Sequence, residues 1–149
     1  MRKTYCNGDE SFIHSLARCV KWAPTGGKKG SFTISWDSRF VLKEVSRVEL
    51  LSFLEIGHSY FEYVASSLYH ELPIVLVKLL GVYRLSYHDN KGKPVKKDVI
   101  VMDNLFYNRN ISRTFDLKGS TRNRYQKTEG ATLMDENLLE CKYTSACVL

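Results

Sequence analysis

Residues Ser31–Glu49 read SFTISWDSRFVLKEVSRVE, and the parsing of this stretch decides the fold. Phe32, Ile34 and Trp36 alternate with polar neighbours, the two-residue period of a half-buried strand. Asp37-Ser38 supplies turn residues, and beyond it Phe40 and Leu42 alternate with Val41 and Lys43, so a hairpin is predicted. Ser46 and Glu49 then have the spacing of a capping box, in which hydroxyl and carboxylate each accept an orphan backbone N–H of a helix start. A helix is predicted to begin there.

Downstream, Leu50, Phe53, Leu54, Phe61, Val64, Ala65 and Leu68 keep a helical stripe, with an interruption expected at Gly57 and an end by Pro73. Ile74–His88, IVLVKLLGVYRLSYH, reads as one or two strands, and a loop covers Asp89–Pro94. Lys96–Phe106, KKDVIVMDNLF, has the continuous apolar run of a central strand. Upstream, Glu10–Trp22 is predicted helical, with Phe12, Leu16, Cys19 and Val20 on one stripe, until Pro24 and Gly26-Gly27 break it. Met134–Glu140, MDENLLE, begins a further helix capped by Asp135, and residues 140–149 read as an irregular tail. Strands joined mostly by hairpin-length connections around one long helix make an α+β fold, an antiparallel sheet with helices, rather than alternating βαβ units.

The chain has 149 residues, enough for one domain with a real core. Hydrophobic residues make up 44% and charged residues 26%, an ordinary globular balance. The net charge of +6 points to an anionic partner (nucleic acid, a phosphorylated ligand or an acidic membrane surface) or to a solvated basic face. Cys6, Cys19, Cys141 and Cys147 form no metal-ligand spacing and fit free thiols in a reducing compartment. No apolar run approaches the roughly 18 residues of a membrane span, and the first ten residues lack a secretory signal's apolar segment. The ending ACVL puts Cys147 third from the end, where prenylation needs it fourth.

Four segments can carry chemistry. Gly26-Gly27-Lys28-Lys29-Gly30 precedes a strand, so it lacks the strand–loop–helix setting of a Walker or Rossmann loop. Glycines before a hairpin can fold a turn over phosphates, because backbone N–H groups then approach oxygen without a Cβ; a plain surface turn is the alternative. Lys43 sits inside the apolar strand RFVLKEV, where a nucleotide-binding lobe sends an ammonium to phosphate oxygens, although a solvent-facing lysine also fits. Glu49 and Glu55 are the acids of the following helix that can hold it. A strand leaving the sheet at Met102, Asp103, Asn104 and Leu105 offers backbone groups to an adenine edge, or simply ends there. Last, Phe115–Tyr125, FDLKGSTRNRY, gathers Lys118, Arg122 and Arg124 around the bend at Gly119, with Asp116 able to share the face of Lys118. Arginine contacts phosphate bidentately and lysine as a point charge, while an ordinary basic turn would look similar.

Taken together, these residues resemble the phosphatidylinositol phosphate kinase family, over about Phe12 to Leu139. The most specific part is DLKGS at Asp116–Ser120. The STRNR continuation, NLFYNR at Asn104–Arg109, LGVYRL at Leu80–Leu85 and MDENLL at Met134–Leu139 are similar to the branch acting on phosphatidylinositol 3-phosphate at the 5-position. The resemblance implies a kinase-like fold with an ATP cleft between two lobes. It casts Gly27 and Gly30 as the glycine loop, Lys43 as the phosphate-contacting lysine with Glu49 as partner, and Met102–Leu105 as the adenine hinge. It gives Asp116 and Lys118 a catalytic place facing the transferred phosphate and headgroup, with Lys118, Arg122 and Arg124 as headgroup contacts. Lys29 departs from the family, which commonly has a small residue there.

The resemblance further implies ATP and Mg2+ as cofactors, with metal ligands in a catalytic loop and metal-binding aspartate beyond the end of this chain. The expected organisation is a partial kinase domain: N-lobe over about 10–106, the start of a truncated C-lobe over 107–139, then the tail. The chain by itself is expected to have little kinase activity. Expected partners are ATP, phosphoinositide in an anionic membrane, and a missing C-lobe or regulatory protein. The expected location is the cytoplasmic face of an endosomal or vacuolar membrane. Lys91, Lys93, Lys96 and Lys97 either help dock on anionic lipid or form a solvated loop. A non-catalytic module retaining nucleotide or phosphoinositide binding is the competing reading. Nucleic acid is not expected, because the aromatics fall at core spacings rather than on a stacking platform.

Overall fold

The computed structural model describes residues 2–22 and 31–143, which divide into two compact units, one running to Tyr107 and one from Asn108. The first contains α1 (Arg2–Tyr5), α2 (Asp9–Leu16), β1 (Cys19–Trp22), β2 (Phe32–Ser35), β3 (Phe40–Val45), α3 (Arg47–Tyr69), β4 (Leu79–His88) and β5 (Pro94–Asp103). The five strands form one antiparallel sheet in the order β1-β2-β3-β5-β4. This is the α+β architecture expected from the sequence.

One expectation is overturned at the start. The helix predicted over Glu10–Trp22 stops at Leu16, and Cys19–Trp22 is a strand. Val20 faces Ile34 and Trp22 faces Phe32, with the two rings edge to face at 6.2 Å. β-branched and aromatic side chains pack well on a pleated surface, so pairing with β2 overrides a stripe that fitted helical spacing. The glycine-containing segment therefore connects two antiparallel strands whose last described pair is Trp22–Phe32.

The β2–β3 hairpin forms where predicted, although Trp36 falls in the turn and is exposed. The turn is held by Asp37, whose carboxylate accepts from the Ser15 and Ser35 hydroxyls at 2.6 and 2.7 Å and from the Arg39 N–H at 3.2 Å. Those bonds also tie α2 to the sheet.

The capping box is present in full: the Glu49 N–H donates to Ser46 Oγ, and the Ser46 N–H donates to Glu49 Oε2. From it α3 runs 23 residues without the break expected at Gly57. A Cβ there would meet only the Phe53 ring at 3.9 Å, so that glycine neither bends the helix nor serves a tight contact. Of the predicted stripe, Leu50 and Val64 are buried, whereas Leu54 and Phe61 remain exposed.

β5 is interior and buried on both faces, which explains its unbroken apolar run. Val101 packs with Cys6, Phe12, Phe40 and Leu80 on one side. Ile100 packs with Val45 and Leu50 on the other, against α3. Loss of either face would expose a strand with no polar alternation to present to water.

The second unit carries an isolated parallel bridge between Phe115 and Leu133, then α4 (Asp135–Tyr143). Asp135 was expected to cap that helix from outside and is instead its first residue. The helix also continues through Tyr143, into the stretch expected to be an irregular tail. Met134 precedes it, and its N–H is taken by Asn137 Oδ1 at 3.0 Å, the side chain reaching back from the third helical position.

Candidate functional site

Lys43 projects from mid-strand β3, paired in register with Phe32 and Ile100. Its ammonium lies 2.8 Å from Glu49 Oε1. Between the two acids open in the sequence, the pairing is with Glu49; Glu55 is exposed on α3. The capping box explains the geometry, because the Ser46 N–H fixes one oxygen of Glu49 and leaves the other for the lysine. The Lys43 hydrogen bond, followed by those at Ser46, pulls the Glu49 carboxyl down to about 2. A structural cap and an ion-pair partner are thus the same side chain. The outcome is a lysine held in one orientation at the junction of sheet and helix.

Gly27 and Gly30 lie outside the described residues. The proposed hinge is built from the end of β5. Met102 sits between Val41 and Leu79. The Asp103 N–H donates to the Lys78 carbonyl, and its carboxylate accepts from the Lys78 N–H at 2.8 Å and pairs with the Lys78 ammonium at 3.3 Å. The Asn104 N–H and Nδ2 donate to the carbonyls of Arg39 and Ser38, tying this segment to the β2–β3 turn. The N–H groups of Asp103 and Asn104 are therefore bonded within the unit, while Leu105 is exposed.

In the second unit the DLKGS loop closes around Asp135. Its carboxylate accepts from the N–H groups of Lys118 (3.0 Å) and Gly119 (2.8 Å) and from Arg124 Nε (2.9 Å). Burial opposes ionisation of Asp135, yet the bonds from Arg124, Lys118 and Gly119 outweigh it and hold the carboxyl at about 2. Arg124 also donates to the Asp116 carbonyl and lies 3.4 Å from its carboxylate. Asp116 in turn pairs with the Lys118 ammonium, the first cause of its lowered pKa. Gly119 takes φ +70°, the left-handed bend that a residue with a Cβ adopts only at a cost.

The structure thus brings Asp116, Lys118 and Arg124 together. The side chains of Arg124 and Asp135 are only 14% and 11% exposed, so Arg124 acts within the protein as a clamp. Arg122 is exposed; its N–H donates to Ser120 Oγ, and its guanidinium makes no hydrogen bond or ion pair among the described residues. Sequence reasoning gave Asp135 only a capping role and gave Asn137 none. Asn137 accepts from the Gln126 and Met134 N–H groups and donates to the Gln126 carbonyl. The available signal was MDEN itself, two short polar side chains at a helix start where backbone donors need acceptors.

Among the described residues no three His, Cys, Asp or Glu groups converge to hold a metal. Asp116 and Asp135 are each engaged by cationic side chains, so the described residues do not fit a Mg2+ site. Lys43 does fit a nucleotide phosphate, being a fixed ammonium with part of its surface open. No helix among the described residues is long and apolar enough to cross a membrane.

An antiparallel five-stranded sheet whose third strand carries a lysine paired to a glutamate of the next helix is the small lobe of a kinase-like fold. The family model described as phosphatidylinositol-4-phosphate 5-kinase matches residues 16–146, and the chain belongs to that family. It is 46% identical over 146 residues to the 1-phosphatidylinositol 3-phosphate 5-kinase FAB1 of Saccharomyces cerevisiae, covering 94% of this chain and 6% of that protein. Identity is 45% to the 1-phosphatidylinositol-3-phosphate 5-kinase FAB1A of Arabidopsis thaliana, over 97% of this chain and 8% of the relative. To the human 1-phosphatidylinositol 3-phosphate 5-kinase it is 42%, over 90% of this chain and 7% of the relative. The chain therefore spans less than a tenth of the length of each of these three relatives.

Proposed function

We propose that the chain is part of a lipid-kinase domain that transfers the terminal phosphoryl group of ATP to the 5-hydroxyl of phosphatidylinositol 3-phosphate. The parent protein would act peripherally at the cytoplasmic face of an endosomal or vacuolar membrane. Family membership and the names of the relatives support this reading. The observation that carries it is the Lys43–Glu49 pair, since a mid-strand lysine fixed by a carboxylate presents a preset cation to phosphate oxygens.

In this reading, residues about 10–106 form the nucleotide-binding lobe and 107–139 begin the second lobe. Gly27 and Gly30 cover the phosphates, and the segment Met102–Leu105 meets adenine. With the Asp103 and Asn104 amides already bonded, adenine falls to the remaining groups there. Lys118 exchanges its Asp116 partner for an incoming phosphate, Arg122 reaches the headgroup, and Arg124 holds the loop that presents both. Turnover, together with any Mg2+ that would offset nucleotide charge, belongs to the larger protein.

Calorimetric titration with ATP tests the nucleotide half. Losing one charge-assisted hydrogen bond, about 1.5–3 kcal/mol, should weaken binding of the Lys43→Ala variant about 10-fold to 150-fold. Unchanged affinity in that variant would sink the assignment. The headgroup half is read by binding to vesicles containing phosphatidylinositol 3-phosphate, where Lys118→Ala and Arg122→Ala should both bind less. ATP-dependent stabilisation without turnover by the complete parent protein would support a non-catalytic binding module instead.

A further inference from the structure

We propose that Arg39 is a positioning residue for the nucleotide base, transmitting the hold of α1 and α2 to Asn104. The inference rests on the assignment of Met102–Leu105 to adenine and adds what keeps that segment in place. Arg39 sits in the turn before β3, and its N–H donates to the Asp37 carboxylate at 3.2 Å. Its guanidinium donates to Ser11 Oγ at 2.9 Å and to the Cys6 carbonyl at 3.3 Å. The guanidinium carbon also lies 5.0 Å from the centroid of the Phe40 ring. With N–H and side chain both anchored, the Arg39 carbonyl is presented in one place, where it accepts the Asn104 N–H at 2.9 Å. The neighbouring Ser38 carbonyl accepts Asn104 Nδ2 at 2.7 Å.

The β2–β3 turn does not need that guanidinium. It is already closed by Asp37 and by the Ser38 N–H, which donates to the Ser35 carbonyl at 2.9 Å. What the guanidinium adds is a link to Cys6, just after α1, and to Ser11 within α2. A second route ends at the same place. The ammonium that pairs with Asp103, that of Lys78, lies 4.9 Å from the centroid of the Tyr5 ring, a cation–π contact. Tyr5 ends α1, and Cys6 is buried with Phe12, Phe40, Leu80 and Val101. Two adjacent residues at the end of α1 therefore bear on two adjacent residues at the exit of β5. A segment held in this way gives up little freedom when it meets a ligand, which favours binding.

The hold acts on the base and not on the phosphates. Arg39 precedes β3, whose first pair with β5 is Phe40–Asp103, whereas Lys43 pairs further along with Ile100. At the strand rise those two pairs are about 10 Å apart. Loosening Asn104 should thus weaken the grip on adenine and leave the Lys43 ammonium on its Glu49 partner. The result is a signature that separates positioning from folding. Loss of positioning affects ATP and spares a triphosphate that has no adenosine, whereas a general loss of structure weakens both alike.

Calorimetric titration of the 149-residue chain with ATP and, separately, with inorganic tripolyphosphate tests this. The wild type is expected to bind ATP more tightly than tripolyphosphate. Arg39→Ala should weaken ATP binding about twofold to tenfold, the scale of one neutral hydrogen bond, and leave tripolyphosphate binding unchanged. Arg39→Lys keeps the charge but not the two-pronged donor, so it should recover part of the loss. Lys43→Ala has the opposite signature and should weaken both ligands. Should Arg39→Ala not fold, Ser11→Ala removes one of the guanidinium's two acceptors and should act in the same direction, more weakly. A full preference for ATP in Arg39→Ala, equal weakening of both ligands, or an indifferent Ser11→Ala where Arg39→Ala does not fold would overturn the positioning role alone. A wild type that binds neither ligand, or both equally, would overturn the adenine assignment and the proposal with it.

Discussion

Replacing Asn137 by alanine probes how the DLKGS loop is held. Asn137 is 7% exposed and makes three hydrogen bonds, two to backbone N–H groups and one to a backbone carbonyl. Alanine leaves all three backbone groups without their partner. At about 0.5–1.5 kcal/mol net for each, the local cost is about 2–4 kcal/mol. The two units need not unfold together, so amide hydrogen exchange is a better measure than one global transition. Exchange at Gln126 and Met134 should accelerate about 30-fold to 1000-fold, the same free energy expressed as a rate ratio. The Lys118 and Gly119 amides should follow, because their acceptor Asp135 stands at the helix start that Asn137 secures. Asn137→Asp keeps an acceptor oxygen for the Gln126 and Met134 N–H groups but sets its second oxygen against the Gln126 carbonyl, so it should recover only part of the protection. Unchanged exchange at Gln126 and Met134 in the alanine variant would refute this account, as would an aspartate variant as disrupted as alanine.

Glu49 should titrate by carboxyl carbon NMR with a midpoint of about 2, and Lys43→Met should raise it toward the ordinary glutamate range. Because its folded value is depressed, its stabilising effect is fully present above the unfolded glutamate pKa and disappears as pH falls through about 2. Asp135 follows the same sign, so the Lys118 and Gly119 amide resonances should hold steady at mildly acidic pH and shift only near 2; Asp135→Asn should shift them at neutral pH. Tyr60→Phe removes a hydroxyl that donates to the Val77 carbonyl and accepts from the Leu79 N–H, both at 2.8 Å. It should lower the stability of the first unit by about 1–3 kcal/mol in urea denaturation, with the slope unchanged.

Much of the first unit was legible because its signals are local. The β2–β3 hairpin, the Ser46–Glu49 box and the apolar run of β5 each depend on neighbours within a few residues. Where a segment had two acceptable local states, the local pattern was insufficient. Cys19–Trp22 fits a helical stripe and a strand alike, and only the presence of β2 alongside selects the strand. The same limit applied to charge. Arg124 and Arg122 look equivalent in STRNR, yet one is clamped between Asp116 and Asp135 and the other stands open.

By itself, then, the sequence determined the α+β composition, the helix start at Ser46, the strand lysine and the motif that marks the family. Those follow from residue periodicity and from short spacings that survive without knowledge of distant contacts. Tertiary structure alone decided which glutamate meets Lys43, which base of the DLKGS loop is consumed internally, and that Asp135 is the loop's anchor. The physical reason is that an ion pair or a buried acceptor is defined by distance in space. Asp135 lies 16 residues from Gly119 in the chain and 2.8 Å from its N–H in the fold.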